Sequence, residues 1–137
     1  MPDADAEEIV IVAENDTMMR GLLRSFLNKP GRTVLLCADG REALLLASQI
    51  TATLIFLDMR MPRMDGLEAC RRIRGLPRGA TVPIIIASVF DGEGSQKLAM
   101  QAGATAFLGK PFSVNQLSRA VTPLIEARKG ESAVLRA

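Results

Sequence analysis

The sequence predicts an α/β chain of five alternating strand–helix units, which right-handed crossovers turn into a doubly wound, five-stranded parallel sheet with helices on both faces. Unbroken apolar runs at Ile9-Val10-Ile11-Val12-Ala13, Leu54-Ile55-Phe56-Leu57 and Ile84-Ile85-Ile86-Ala87 read as strands buried on both sides. Each of these runs stops on polar residues, at Glu14, Asp58 and Ser88. Between them, apolar residues return at helical spacing behind capping residues.

The first strand ends at Glu14-Asn15-Asp16-Thr17, and Met18, Met19, Leu22, Leu23, Phe26 and Leu27 then mark a helix with Asp16 or Thr17 as its N-cap. Lys29-Pro30-Gly31 stops that helix, and Thr33 to Ala38 form the second strand. Asp39-Gly40-Arg41-Glu42 has capping-box spacing and opens a helix through Ala43, Leu44, Leu46 and Ala47. The central strand, Leu54 to Asp58, is followed by a turn at Pro62 and a cap at Asp65-Gly66, before a helix from Leu67 to Arg74. After the Gly75–Ala80 loop and the fourth strand, the glycine-rich Asp91-Gly92-Glu93-Gly94 precedes a weakly held helix, Ser95 to Ala102, that stops at Gly103. Thr105 to Gly109 make a short last strand. Ser113 and Gln116 cap a final helix whose inward stripe is read as Val114, Leu117, Val121 and Leu124. Pro123 should kink that helix or loosen its last turns, and a short polar tail should follow Arg128.

A chain of 137 residues is one domain's worth, here residues 7–128, with short polar tails at 1–6 and 129–137. A net charge of +2 implies no polyanion-binding field, so direct nucleic-acid binding is not expected, and the basic cluster of Arg60, Arg63, Arg71, Arg72, Arg74 and Arg78 reads as a solvated helix face. No apolar run approaches the roughly 20 residues of a membrane span, and the start is acidic where a signal peptide is basic, so a cytoplasmic protein is expected. Cys37 and Cys70 lie in apolar surroundings without CxxC spacing, and the chain has no histidine, which disfavours disulfide, zinc and thiol-protease chemistry.

The strand ends bring Glu14, Asn15, Asp58, Ser88 and Lys110 to one crevice, the edge where open α/β sheets bind ligands. Oxygen-rich groups around a carboxylate suit Mg²⁺, and a hydroxyl with an ammonium suits phosphoryl oxygens. With Met-Pro-Arg-Met-Asp-Gly after Asp58, Ser88 after the fourth strand and Lys110-Pro111-Phe112 after the fifth, the chain resembles a receiver domain of two-component response regulators over about Glu7 to Arg128. That resemblance implies a flavodoxin-like sheet of order 2-1-3-4-5. It also implies phosphorylation of Asp58 by a phosphohistidine of a sensor histidine kinase or histidine phosphotransfer protein, with self-phosphorylation from small phosphodonors as the most catalysis expected. Mg²⁺, or Mn²⁺ in its place, would be held by Glu14, Asn15, Asp58 and the Arg60 backbone carbonyl. Ser88 and Lys110 would take phosphoryl oxygens, Phe107 would be the aromatic switch, and Lys110-Pro111 would be cis. The Ser95–Ala102 helix, the Thr105–Leu108 strand and the final helix would form the switching face, open to a homodimer, to a downstream protein partner or to an output domain outside this chain. The kinase would dock near the first helix.

Two positions depart from the family's pattern. The turn after the first strand carries Asn15 where a second acid is usual, so metal binding should be weaker unless Asp16 substitutes for it; Phe107 lacks the hydroxyl of the commoner tyrosine. Asn15 motivates a second reading, a pseudo-receiver that acts as a phosphorylation-independent interaction module. An aspartyl-phosphate hydrolase would need an acid at Arg60, and a flavin-binding relative would need a neutral phosphate loop where Glu14 and Asp16 stand.

Overall fold

The computed structural model describes residues 7–89 and 92–136. Five strands, β1 (Glu8–Ala13), β2 (Arg32–Cys37), β3 (Leu54–Asp58), β4 (Ile84–Ser88) and β5 (Ala106–Gly109), alternate with helices α1 (Thr17–Leu27), α2 (Gly40–Gln49), α3 (Gly66–Arg74), α4 (Glu93–Ala102) and α5 (Val114–Arg136). The sheet order is β2-β1-β3-β4-β5 with every neighbouring pair parallel, as the resemblance implied. All five strands therefore present their carboxyl ends at one edge.

The period of two along the strands divides the core. Ile11, Ala13, Ile55, Leu57, Ile84 and Ile86 face α2, α3 and α4, where Ala43, Ala47, Ala69, Ile73 and Ala99 meet them. Val10, Val12, Leu54, Phe56, Ile85 and Ala87 face α1 and α5, against Leu23, Leu27, Leu117, Val121 and Ile125. Removing each large side chain from water contributes about 1.5–3 kcal/mol, which explains why the central strands are apolar up to their last residue.

Local chemistry sets the helix starts. Asp16 caps α1 by accepting from the Met18 N–H, Asp39 caps α2 through the Glu42 N–H, and Asp65 caps α3 through the Glu68 N–H. At the start of α5, Ser113 and Gln116 exchange reciprocal bonds of 3.1 and 2.8 Å, the expected capping box. Lys110-Pro111 is cis.

The structure corrects two helix boundaries and the face of one helix. Helix α4 begins at Glu93 rather than Ser95, with its N-cap at Gly92; Asp91, placed at the same start by the sequence, lies outside the described residues, as do residues 1–6. Helix α5 continues through Pro123 to Arg136, where a tail was expected after Arg128. The pyrrolidine is exposed, so the helix carries the missing N–H on its wet side. Of the expected inward stripe of α5, Leu117 and Val121 are buried and Leu124 packs half-buried beside them, while Ile125 joins the core and Val114 is 68% exposed, because the stripe advances by four from the first residue that reaches the sheet.

Candidate functional site

The turn after β1 is built by backbone bonds. The Glu14 N–H donates to the Cys37 carbonyl at 3.0 Å, extending the ladder one residue past the strand. Arg20, one turn into α1, donates its guanidinium to the Glu14 carbonyl at 2.7 Å and the Asn15 carbonyl at 3.3 Å. Sequence reasoning missed this clamp, whose only trace is an arginine six residues beyond the strand's last acid. The Glu14 side chain, 1% exposed, accepts from the Asp16 N–H at 2.9 Å. The Asp16 carboxylate caps α1 through one oxygen, which accepts from the Met18 N–H at 3.1 Å, and the residue also lines the crevice. Asn15 itself is exposed at the rim.

Asp58 closes β3 and is buried beside Glu14. Lys110 Nζ bridges the two, 2.6 Å from Glu14 Oε1 and 3.4 Å from Asp58 Oδ1. Burial and the Glu14 charge push the Asp58 carboxyl up to about 6, against the pull of Lys110 and of the Arg60 N–H that donates to it. One ammonium thus serves two buried acids, leaving the pair short of positive charge.

These groups line one cavity of about 360 Å³, together with Asn15, Asp16 and Val89. Ser88 is buried at the end of β4 and pairs in register with Gly109; its carbonyl accepts from the Lys110 N–H at 2.7 Å, which fixes the residue bearing the ammonium. Phe107 stands away from the cavity, half-buried against the α2, α3 and α4 side of the core. A larger groove of about 960 Å³ between α2 and α3 lies apart from this cluster; convergent polar groups, not volume, locate the chemistry.

The donor set fits a hard divalent ion that keeps several of its waters. Two carboxylates and the neutral Asn15 amide offer oxygen only, and the charge deficit of the acid pair is one such an ion would relieve. Among the described residues no group of three or more His, Cys, Asp or Glu converges, so the site is poorer in charge than a three-acid site.

The arginines do not form the single solvated face that the sequence suggested. Arg71 and Arg72 are exposed and pair with Glu68. Arg74 is half-buried and donates to the Gly103, Gly79 and Val82 carbonyls at 2.8, 2.8 and 2.6 Å, joining α3 to the end of α4 and the approach to β4. Arg63 pairs with buried Asp39.

Comparison with known proteins adds a family to this geometry. The sequence model of the response regulator receiver domain matches residues 10–122. Response regulator MprA of Mycobacterium tuberculosis is 35% identical over 124 residues, covering 90% of this chain and 53% of that protein. MprA of Mycobacterium leprae is 32% identical over 124 residues, which cover 90% of this chain and 54% of the relative. The chain thus spans about half the length of the curated relatives it matches. Among solved structures, the receiver domain of a sensor histidine kinase from Pseudomonas aeruginosa, with a magnesium ion coordinated in its active site cleft, superposes with a TM-score of 0.80 at 30% identity, covering 88% of this chain and 99% of that one. Chemotaxis response regulator CheY4 of Vibrio cholerae gives a TM-score of 0.80 at 26% identity over 87% of this chain and 99% of its own.

Proposed function

This chain belongs to the response regulator receiver domain family of two-component signalling, and on that premise we propose that Asp58 accepts a phosphoryl group from a phosphohistidine of a sensor histidine kinase or histidine phosphotransfer protein. An Asp58 carboxylate oxygen attacks phosphorus, the P–N bond breaks, and the imidazole leaves with the electron pair. The observation that carries this reading is the Lys110-bridged pair of buried acids at the carboxyl end of β3.

Glu14, Asp58, the Arg60 carbonyl and the amide oxygen of Asn15 would hold Mg²⁺, or Mn²⁺ in its place. When bound, the ion offsets charge on the carboxylates and on the phosphoryl oxygens. Lys110 pairs with one phosphoryl oxygen and the Ser88 hydroxyl binds another. Phe107 follows Ser88 inward, and the face formed by α4, β5 and α5 changes shape for a downstream protein, an output domain or a second copy. The setting is cytoplasmic; no helix among the described residues is long and apolar enough to cross a membrane.

The test is mass spectrometry of the intact protein mixed with acetyl phosphate, with and without Mg²⁺, alongside Asp58→Asn. The expected result is a single phosphoryl adduct that needs Mg²⁺ and disappears in Asp58→Asn. A folded protein that takes no adduct at millimolar Mg²⁺, and none from a panel of phosphorylated histidine kinases, would instead be a pseudo-receiver.

A further inference from the structure

The segment between β3 and α3 contains a backbone position that a side chain occupies only under constraint. Arg63 has φ of 66°, a region that side chains other than glycine rarely adopt. The Met64 N–H donates to the Pro62 carbonyl at 2.7 Å, closing a three-residue turn around it. That positive-φ γ-turn is a strained form, and a side chain at its centre must be held there by something else.

The holding group is Asp39. Arg63 reaches across the surface to place one guanidinium nitrogen 2.7 Å from Asp39 Oδ2, while the other Asp39 oxygen accepts the Glu42 N–H at 2.9 Å. Asp39 is 2% exposed and fixed by α2, so the anchor is rigid even though most of Arg63 is in solvent. The next residue docks on the same helix end. The Met64 carbonyl accepts the Gly40 N–H at 2.9 Å, and a Cβ on Gly40 would lie 2.3 Å from that carbonyl oxygen. On the β3 side the segment is tied by the Gly66 N–H to the Met59 carbonyl at 2.9 Å and by the Arg60 N–H to the Asp58 carboxylate.

We propose that Arg63 is a positioning residue for Asp58: latched to buried Asp39, it holds the turn after β3 in the strained form that keeps the Arg60 N–H on the Asp58 carboxylate. Its meaning for phosphoryl transfer rests on the reading of Asp58 given above. The latch couples the start of α2 to the acceptor strand through five residues of backbone, and a chain with glycine at this position would have the turn without the tether.

Arg63→Gly separates the latch from mere relief of strain, because glycine adopts the positive φ freely but cannot reach Asp39. The experiment is amide hydrogen exchange read by NMR at Arg60 and Met64, with Val12 in the core as reference, together with the initial rate of phosphorylation by acetyl phosphate and Mg²⁺. In Arg63→Gly and in Asp39→Asn, which keeps an oxygen for the Glu42 N–H, exchange at Arg60 and Met64 should accelerate on the order of tenfold or more while Val12 is unchanged. The phosphorylation rate should fall about tenfold in both, the double variant should be no worse than either, and Arg63→Lys should recover part of the loss. Unchanged exchange at Arg60 in a folded Arg63→Gly overturns the proposal, as does acceleration at Val12 to the same extent, which would make Arg63 a general stabiliser. If Arg60 responds but the wild-type protein takes no phosphoryl group, the latch stands and the reading of Asp58 fails.

Discussion

A buried acid pair bridged by one lysine has consequences at single residues that can be read with and without phosphoryl chemistry. The folded state raises the Asp58 carboxyl from 3.8 to about 6. The native state therefore binds more protons than the unfolded chain in that window, and stability falls as pH rises through it, the reverse of an ordinary salt-bridged aspartate. At 1.36 kcal/mol per unit the deficit reaches about 3 kcal/mol above pH 6 and vanishes below the unfolded value. Asp58→Asn abolishes that deficit. In metal-free buffer its urea midpoint should match the wild type near pH 3.5, exceed it increasingly between pH 4 and 6, and hold a constant advantage above; an advantage that shrinks as pH rises would contradict the sign. Asn15 makes the complementary case. The substitution Asn15→Asp adds a third carboxylate at the rim, which should lower the melting temperature without metal and tighten Mg²⁺ by about tenfold, or 1.4 kcal/mol. Thermal shift against Mg²⁺ concentration measures both effects in one titration, and equal affinities for the wild type and Asn15→Asp would remove residue 15 from the donor set.

At the scale of elements, the contrast between what the sequence disclosed and what it hid follows from range. Caps were legible because Asp39 to Glu42, Asp65 to Glu68 and Ser113 to Gln116 each close within three residues. Strand ends were legible jointly: Asp58 alone reads as a cap or turn former, but Glu14, Ser88 and Lys110 stand at the matching ends of the other strands. Arg74 was not legible. It reads as one more cation on a basic helix, yet its partners come from Gly79, Val82 and Gly103, brought together only once β4 and α4 are packed. The latch of Arg63 is equally invisible, since Asp39 lies 24 residues away at the cap of α2. The two cases predict different costs. Arg74→Ala leaves three carbonyls without their charged donor and removes the stem that packs on Gly103, so urea denaturation should show a loss of about 3 kcal/mol. Arg71→Ala, on the exposed face of the same helix, should stay within about 0.5 kcal/mol of the wild type. Similar losses for the two would mean that the Arg74 bonds contribute no more than a surface ion pair.

Across the whole molecule the two sides of the sheet are held unequally. Strands β1 and β3 occupy the middle, are covered on both faces, and carry the acids of the site at their ends. Helix α4 sits at the other extreme. It buries only Ala99 and Ala102, its N-cap Gly92 supplies no side-chain bond, and Leu98 and Met100 remain 49% and 45% exposed. Two alanines remove little apolar surface from water, so the free energy that keeps α4 on the sheet is small compared with that of the central strands. Its C-terminal end is the better tethered, through Arg74 to the Gly103 carbonyl and the left-handed Gly103 cap. Opening should therefore begin at the Gly92 end and leave Gly103 in place. Native-state hydrogen exchange should find α4 amides opening at least about 2 kcal/mol more easily than those of β1 and β3, with Gln96 to Leu98 ahead of Ala102. Uniform protection across α4 and β3 would mean that this helix moves only with the whole fold. The expected gradient instead places the soft end of the protein beside β4, one strand from Asp58, where the phosphorylation proposed above would act on a segment held by little energy while the strands that position the acid stay fixed.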